Sequence, residues 1–201
     1  MWWYMTTECT STKTQIRRHP ERAVYDLTEV HAVLDTALVC HVGFAHDGVP
    51  VVIPTIHARD GDTLYLHGSP ASRMLRNLAQ GVDVCVTATL VDGLVLAKSW
   101  MHHSLNYRSA VVFGTARPVT DRAEKLEALR VVVEHVLAGR SEQSRPPSAK
   151  ELTATLVLAV GLSECSVKVR TGPPVDDADD ADLTWVAGVV PVPPGRLGQP
   201  A

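Results

Sequence analysis

Ser69, Ser72 and Arg73 are the residues whose types and spacing could hold an anion, and His67 stands just ahead of them. The run Leu64-Tyr-Leu-His67 reads as a strand. It steps into a helix expected to start at Ser69, with Pro70 at its first position, Met74, Leu75 and Leu78 on one face, and Gly81 as its stop. Unpaired N–H groups and the positive dipole end at a helix N-terminus favour an anion. Two hydroxyls and a guanidinium there make a phosphate cradle. The same letters also spell an ordinary serine cap beside a solvated arginine. His67, at the strand end, can hydrogen-bond or stack against a ligand ring or titrate near neutral pH, or serve only as a hydrogen-bonded strand terminus.

Other chemistry is thinly represented. His102 and His103 are adjacent, so on a strand they would point to opposite faces and not share one ion; no metal site is expected. The nine histidines of the chain leave a haem ligand open, although no Cys-x-x-Cys-His attachment signal occurs. Cys9, Cys40, Cys85 and Cys165 form no Cys-x-x-Cys pair, and Cys40 and Cys85 lie in apolar runs as buried thiols. Gly-x-Ser-x-Gly, Gly-x-Gly-x-x-Gly and Gly-x-x-x-x-Gly-Lys-Ser/Thr are all absent, which argues against hydrolase, Rossmann and P-loop chemistry.

The elements that must position these residues are mainly strands. Asp47-Gly48, Asp60-Gly61 and Asp92-Gly93 each separate apolar, β-branched runs, the strongest short signal for a hairpin. Leu38–Phe44, Val51–Ala58 and Thr63–Leu66 therefore read as a meander, Val84–Val91 and Leu94–Lys98 as a hairpin, Ser109–Val119 as a long strand, and Thr155–Val160 with Ser166–Arg170 as a final pair. Seven or eight strands suggest a barrel, since closure removes exposed edges. Helices are expected after Thr28 as cap, near Thr120, and at Ser148-x-x-Glu151, a capping-box spelling.

Composition agrees with one globular domain: 201 residues, 45% hydrophobic and 20% charged. The stretch 1–16 reads as an arm, disordered or partly docked; residues 17–172 form the barrel domain. Residues 173–201 form an acidic, proline-rich tail with a docking segment around Trp185. Net charge is −3, and five of the acids lie beyond Thr171, so the near-neutral body offers no footprint for nucleic acid. No apolar run approaches the roughly 20 residues of a membrane span, and no signal peptide is visible; a cytoplasmic location is expected.

The order of these elements, with Leu64-Tyr-Leu-His-Gly-Ser-Pro-Ala-Ser-Arg-Met74, Val84-Cys-Val-Thr-Ala-Thr and Asn106-Tyr-Arg-Ser-Ala-Val-Val-Phe-Gly-Thr-Ala-Arg-Pro-Val119, resembles the pyridoxamine 5′-phosphate oxidase-like proteins. It is nearest their flavin-nucleotide-binding and nitroimidazole-resistance-type branch, over about residues 17 to 192. The resemblance implies an antiparallel split β-barrel with peripheral helices, assembled as a homodimer that binds FMN in clefts between subunits. It puts the flavin phosphate at Ser72 and Arg73, the ring and ribityl chain along Val52, Ile53, Pro54 and Thr55, and the adjoining turn at His67, Gly68 and Ser69. Lys98, Ser99 and Tyr107 would come from the neighbouring subunit, and Trp185 would close the pocket. His67 would be the catalytic ring-side donor in reduction of a small oxidised substrate, a nitro compound or quinone.

Departures from the family pattern matter. Met74 replaces a phosphate-binding lysine of the vitamin-forming oxidases, and Val51-Val-Ile-Pro-Thr-Ile56 replaces their Arg-x-Val-x-Leu-Lys, which argues against pyridoxamine phosphate as substrate. Two alternatives stay open: a haem- or flavin-binding protein without turnover, with His67, His102 and His103 as ligand candidates, and a deazaflavin-dependent reductase, for which few cations are visible near the cleft.

Overall fold

A computed structural model describes residues 11–193; Trp2, Trp3, Tyr4 and Cys9 lie outside them. The strands are β1 (Ala23–Val24), β2 (Val39–His46), β3 (Val49–Asp60), β4 (Thr63–Gly68), β5 (Asp83–Leu96), β6 (Ser104–Pro118), β7 (Leu156–Gly161), β8 (Glu164–Arg170) and β9 (Gly188–Pro191). They join in the order β1-β8-β6-β7-β4-β3-β2-β5-β9, and β5 also pairs with β6. That extra pairing closes β2, β3, β4, β7, β6 and β5 into a ring. The expected antiparallel split barrel is therefore the observed fold.

The first two Asp-Gly turns work as expected. Asp47 and Gly48 both take positive φ, 51° and 77°, which only a turn of the hairpin type needs, and His46 faces Val49 across it. Asp60 faces Thr63 across the second. Asp92-Gly93 is different: β5 runs straight through it as one strand, with a bulge between Val91 and Gly93, so the expected Val84–Val91/Leu94–Lys98 hairpin is not formed. The 15-residue β6 supplies a partner long enough for all of β5, and Arg108 holds Asp92 in a two-toothed ion pair at 2.8 and 3.0 Å. β9 lies against the same stretch, pairing Gly93 with Pro191 and Leu96 with Gly188.

β7 and β8 are likewise not a pair with each other. They lie end to end along β6, β8 opposite Tyr107–Phe113 and β7 opposite Ala116–Pro118. This change of partner along one strand is the split in the barrel.

Among the described residues, four α-helices complete the fold. α1 (Leu27–Thr36) packs Val30, Val33 and Leu34, all at most 1% exposed, against the main core with Val42, Leu64, Leu66, Val86, Val112 and Leu158. Its cap is Asp26, whose carboxylate accepts from Thr28 N, rather than Thr28 itself. α2 (Arg73–Leu78) starts three residues later than expected because Ser69 makes a separate turn: its carbonyl accepts from Ser72 N at 2.9 Å, and Ser72 becomes the cap. α3 (Arg122–Val136) is capped by Asp121, and α4 (Ala149–Thr153) by Ser148 with both capping-box bonds to Glu151. No helix among the described residues is long and apolar enough to cross a membrane.

Candidate functional site

β4 alternates, so Tyr65 and His67 share its outer face while Leu64 and Leu66 fill the barrel. α3 lies over that outer face and seals Tyr65 with Val157, Ala159 and Ala128 in a second small core. Tyr65 Oη donates to Glu124 at 3.3 Å, and the Arg117 guanidinium grips the same carboxylate. Two residues further along, His67 opens into a cleft of about 680 Å³. Leu126, Leu129, Val132 and Val133 of α3 form one wall, and Pro146 and Pro147 another.

The loop bearing those prolines is fixed by carboxylates. Glu134 accepts from Gly139 N at 2.6 Å and Ser141 N at 2.8 Å, and Arg145 pairs with Glu151 at 2.8 Å. The cleft cations Arg130 and Arg145 are thus each already matched, Arg130 by Glu127. Within the cleft His67 is left unmatched: its Nδ1 is buried and has no hydrogen-bond partner among the described residues. Burial pushes its pKa down, so the ring is neutral at pH 7 and able to accept a proton or a metal bond.

The other residues expected at the site fall in three places. On β3, Val52 and Pro54 are exposed on the outer face while Ile53 and Thr55 are half-buried toward the core, so the strand presents alternate residues rather than all four. With Val39 and Ile56 they form an uncovered apolar strip, Val52 being 62% exposed. Gly68 leads to the exposed turn; a Cβ on it would sit 3.1 Å from Leu75. Ser69 accepts from Ala71 N and Ser72 from Leu75 N, so both hydroxyls are engaged in local turns and Arg73 is exposed beside them. Lys98 is tied to the tail, its N donating to Asp176 at 2.7 Å and its Nζ to the Ala181 carbonyl. Ser99 caps the turn Trp100–His102. Trp185 is 65% exposed, and among the described residues the segment that docks is β9, just after it.

Tyr107 lines a second cleft, of about 490 Å³, together with Arg18, Arg22, Lys168 and Arg170. Sequence reading passed over this cluster because its cations come from both ends of the chain. The available signal was Lys168-x-Arg170, whose spacing of two puts both on one face of a strand. His102, at its rim, approaches Asp177 at 3.9 Å, and His102, Asp177 and Asp180 have ligand-type atoms within 4.8 Å of one another. This second cleft thus gathers four permanent cations.

Two further histidines are structural. His57, fully buried, donates from Nε2 to the Leu34 carbonyl at 2.9 Å, and His135 donates to the Ala37 carbonyl at 2.9 Å. Both close off the C-terminal end of α1. Cys40 is buried among apolar groups, which pushes its thiol up to about 12 and leaves it inert.

A family model described as pyridoxamine 5′-phosphate oxidase matches residues 26–169. Among solved structures, the chain is 42% identical to the flavocytochrome Anf3 from Azotobacter vinelandii, over 90% of this chain and 85% of that one, with a TM-score of 0.84. It is 36% identical to an FAD- and haem-binding protein from Mycobacterium smegmatis, over 85% and 84%, with a TM-score of 0.81. A candidate 5-nitroimidazole antibiotic resistance protein from Bacteroides thetaiotaomicron shares 26% identity over 73% and 86%, at a TM-score of 0.60. No curated protein matches the chain.

Proposed function

The chain belongs to the pyridoxamine 5′-phosphate oxidase family, and on that premise we propose that it is a flavin-binding redox protein that reduces a small oxidised substrate, a nitro compound or quinone. The observation that carries the reading is His67, a neutral imidazole with an unmatched nitrogen, set in a largely apolar cleft between β4, α3 and the loop that bears Pro146 and Pro147. A largely apolar pocket with a few convergent polar groups, here His67 with Arg130 and Arg145, is the usual form of a cofactor or substrate site.

In this reading Val52, Pro54 and Ile56 support the flat ring, Thr55 and Ser69 meet flavin polar groups, Ser72 and Arg73 hold a phosphate, and His67 holds or delivers a proton at one of its ring nitrogens. The bound flavin would supply two-electron transfer. A second copy of the chain would cover the strip, because apolar side chains as exposed as Val39 (45%) and Val52 (62%) on one sheet face mark an association surface. Lys98, Ser99, Tyr107 and Trp185 would then reach the partner's flavin.

A second reading is favoured by the same imidazole. The chain would hold haem in the His67 cleft, as two of its relatives are haem proteins by description. The cleft volume of about 680 Å³, its leucine, valine and proline walls and the uncharged ring fit such a group, and His67 would be the residue that holds its iron. The test is the absorbance spectrum of the purified protein, before and after addition of FMN, FAD and haem, for the parent and His67→Ala. Flavin bands in the parent support the main reading. A Soret band lost in His67→Ala supports the second. No chromophore bound under any of these conditions overturns both.

A further inference from the structure

We infer that the second cleft, between residues 18–22, β8 and the turn at 100–102, binds the diphosphate of a nucleotide. The site is a different one from the His67 cleft and does not depend on the flavin reading.

The cations are placed by the sheet. Lys168 and Arg170 are two residues apart on β8 and share a face; Tyr107 stands opposite Arg170 in the β6 register. β1 pairs with β8, Ala23 opposite Lys168, which brings the preceding residues Arg18 and Arg22 alongside. Lys168 Nζ donates to the Arg18 carbonyl at 2.8 Å, locking the two segments together.

What these cations lack is an anion. Arg170 is only 9% exposed, yet its guanidinium is held by neutral acceptors alone: the Asn106 amide oxygen, the Gly172 carbonyl at 3.4 Å and the Pro173 carbonyl at 3.3 Å. No described carboxylate pairs with Arg170, Lys168 or Arg18, and Arg22 has only the exposed Glu21 at 3.6 Å. A buried guanidinium without a counter-charge is costly, and an entering anion removes that cost. Asp177 is 76% exposed and touches His102 at the rim. Arginine suits phosphate because its planar fork donates two parallel bonds. Four permanent cations spread along about 490 Å³ exceed what one phosphate needs, while the Tyr107 ring, Met101 and Val175 add apolar surface for a nucleoside.

The test is isothermal titration of ADP, inorganic pyrophosphate and adenosine into the full chain at low salt. ADP and pyrophosphate should bind, and adenosine should bind at least about a hundredfold more weakly than ADP. Each charge-assisted contact carries roughly a tenfold effect, so Arg18→Gln with Arg22→Gln together should weaken ADP about a hundredfold without lowering the melting temperature, since the Lys168 bond to the Arg18 carbonyl is kept. Both side chains lie nearer the surface than Arg170, so the test survives if Arg170→Gln does not fold. Repeating the titration on FAD-loaded and FMN-loaded protein separates two sources. ADP excluded by FAD but not by FMN means the diphosphate is FAD's own; ADP binding unchanged by FAD means a diffusible nucleotide. The inference is overturned if ADP does not bind at millimolar concentration, binds the double variant as tightly, or binds no better than adenosine. ADP binding in a protein that takes up no flavin would sink the flavin reading and leave this one standing.

Discussion

His57 should make the fold acid-sensitive by an amount that can be worked out. Its Nε2–H is bound to the Leu34 carbonyl, so the neutral ring leaves only the bare acceptor Nδ1 buried and unpaired. Protonation would add a donor there with no acceptor, and the His135 ring centroid lies 5.0 Å away. Burial first, then His135, pushes the His57 pKa from 6.5 down to about 4, against the opposing pull of the Leu34 carbonyl and Asp35. The unfolded chain therefore takes up this proton at higher pH than the folded one. The contribution to stability is complete above about pH 6.5 and is lost as pH falls toward 4. Each pH unit of that window is worth about 1.36 kcal/mol, so moving from pH 7.5 to 4.5 should remove about 2.5 kcal/mol through this one ring. His57→Gln keeps an N–H for Leu34 but does not titrate. Urea unfolding of both proteins at the two pH values isolates the effect, because other titrating groups, His67 included, cancel in the difference. The parent should lose about 2.5 kcal/mol more than the variant, although it starts the more stable. Parallel losses, within about 0.5 kcal/mol, would refute the reasoning.

Three further outcomes are expected. Leu66→Ala empties a fully buried position in the barrel interior and should cost about 2–5 kcal/mol in urea unfolding; a cost below 1 kcal/mol would mean the core relaxes around it. Gly93→Ala would put a Cβ 2.9 Å from Val189 and 3.2 Å from the Val190 carbonyl, so β9 should be displaced. Amide exchange at 188–191 should rise with the barrel intact and about 1–3 kcal/mol lost, and unchanged protection would contradict this. Val52→Asp places a charge on the open strip, and size-exclusion chromatography should show the parent as a dimer and the variant as a monomer. A monomeric parent would remove the homodimer from the proposal.

Much of the barrel was legible because local chemistry and global pairing agreed. Asp47-Gly48 supplies the two positive φ angles that its hairpin needs, and Ser148 with Glu151 makes both bonds that its spelling promises. Asp92-Gly93 carries the same letters with a different result, since the pairing there is decided by β6, fifteen residues long and remote in sequence. Helix starts slipped by a residue or more wherever two capping residues competed, as at Asp26 and Thr28 or Ser69 and Ser72. His67 could be singled out because a strand end before a turn is visible locally. The cleft around it could not, since α3 and the loop after it close over His67 with residues about 60 to 90 positions away. The cationic cleft was hidden for the same reason: Arg18 and Lys168 are 150 residues apart and meet through one hydrogen bond.

The late strand β9 also has a consequence for how the protein is made. It pairs with Gly93–Leu96 from roughly 95 residues downstream, so a ribosome working at about 5–20 residues per second leaves that stretch of β5 without its neighbour for roughly 5–20 s. Over that interval Leu94, Val95 and Leu96 form a bare apolar edge on a nascent chain, open to any other strand that passes. Crowded or overexpressed translation should therefore convert part of the product into aggregates seeded at this edge, and slowing elongation between residues 97 and 187 should increase that fraction.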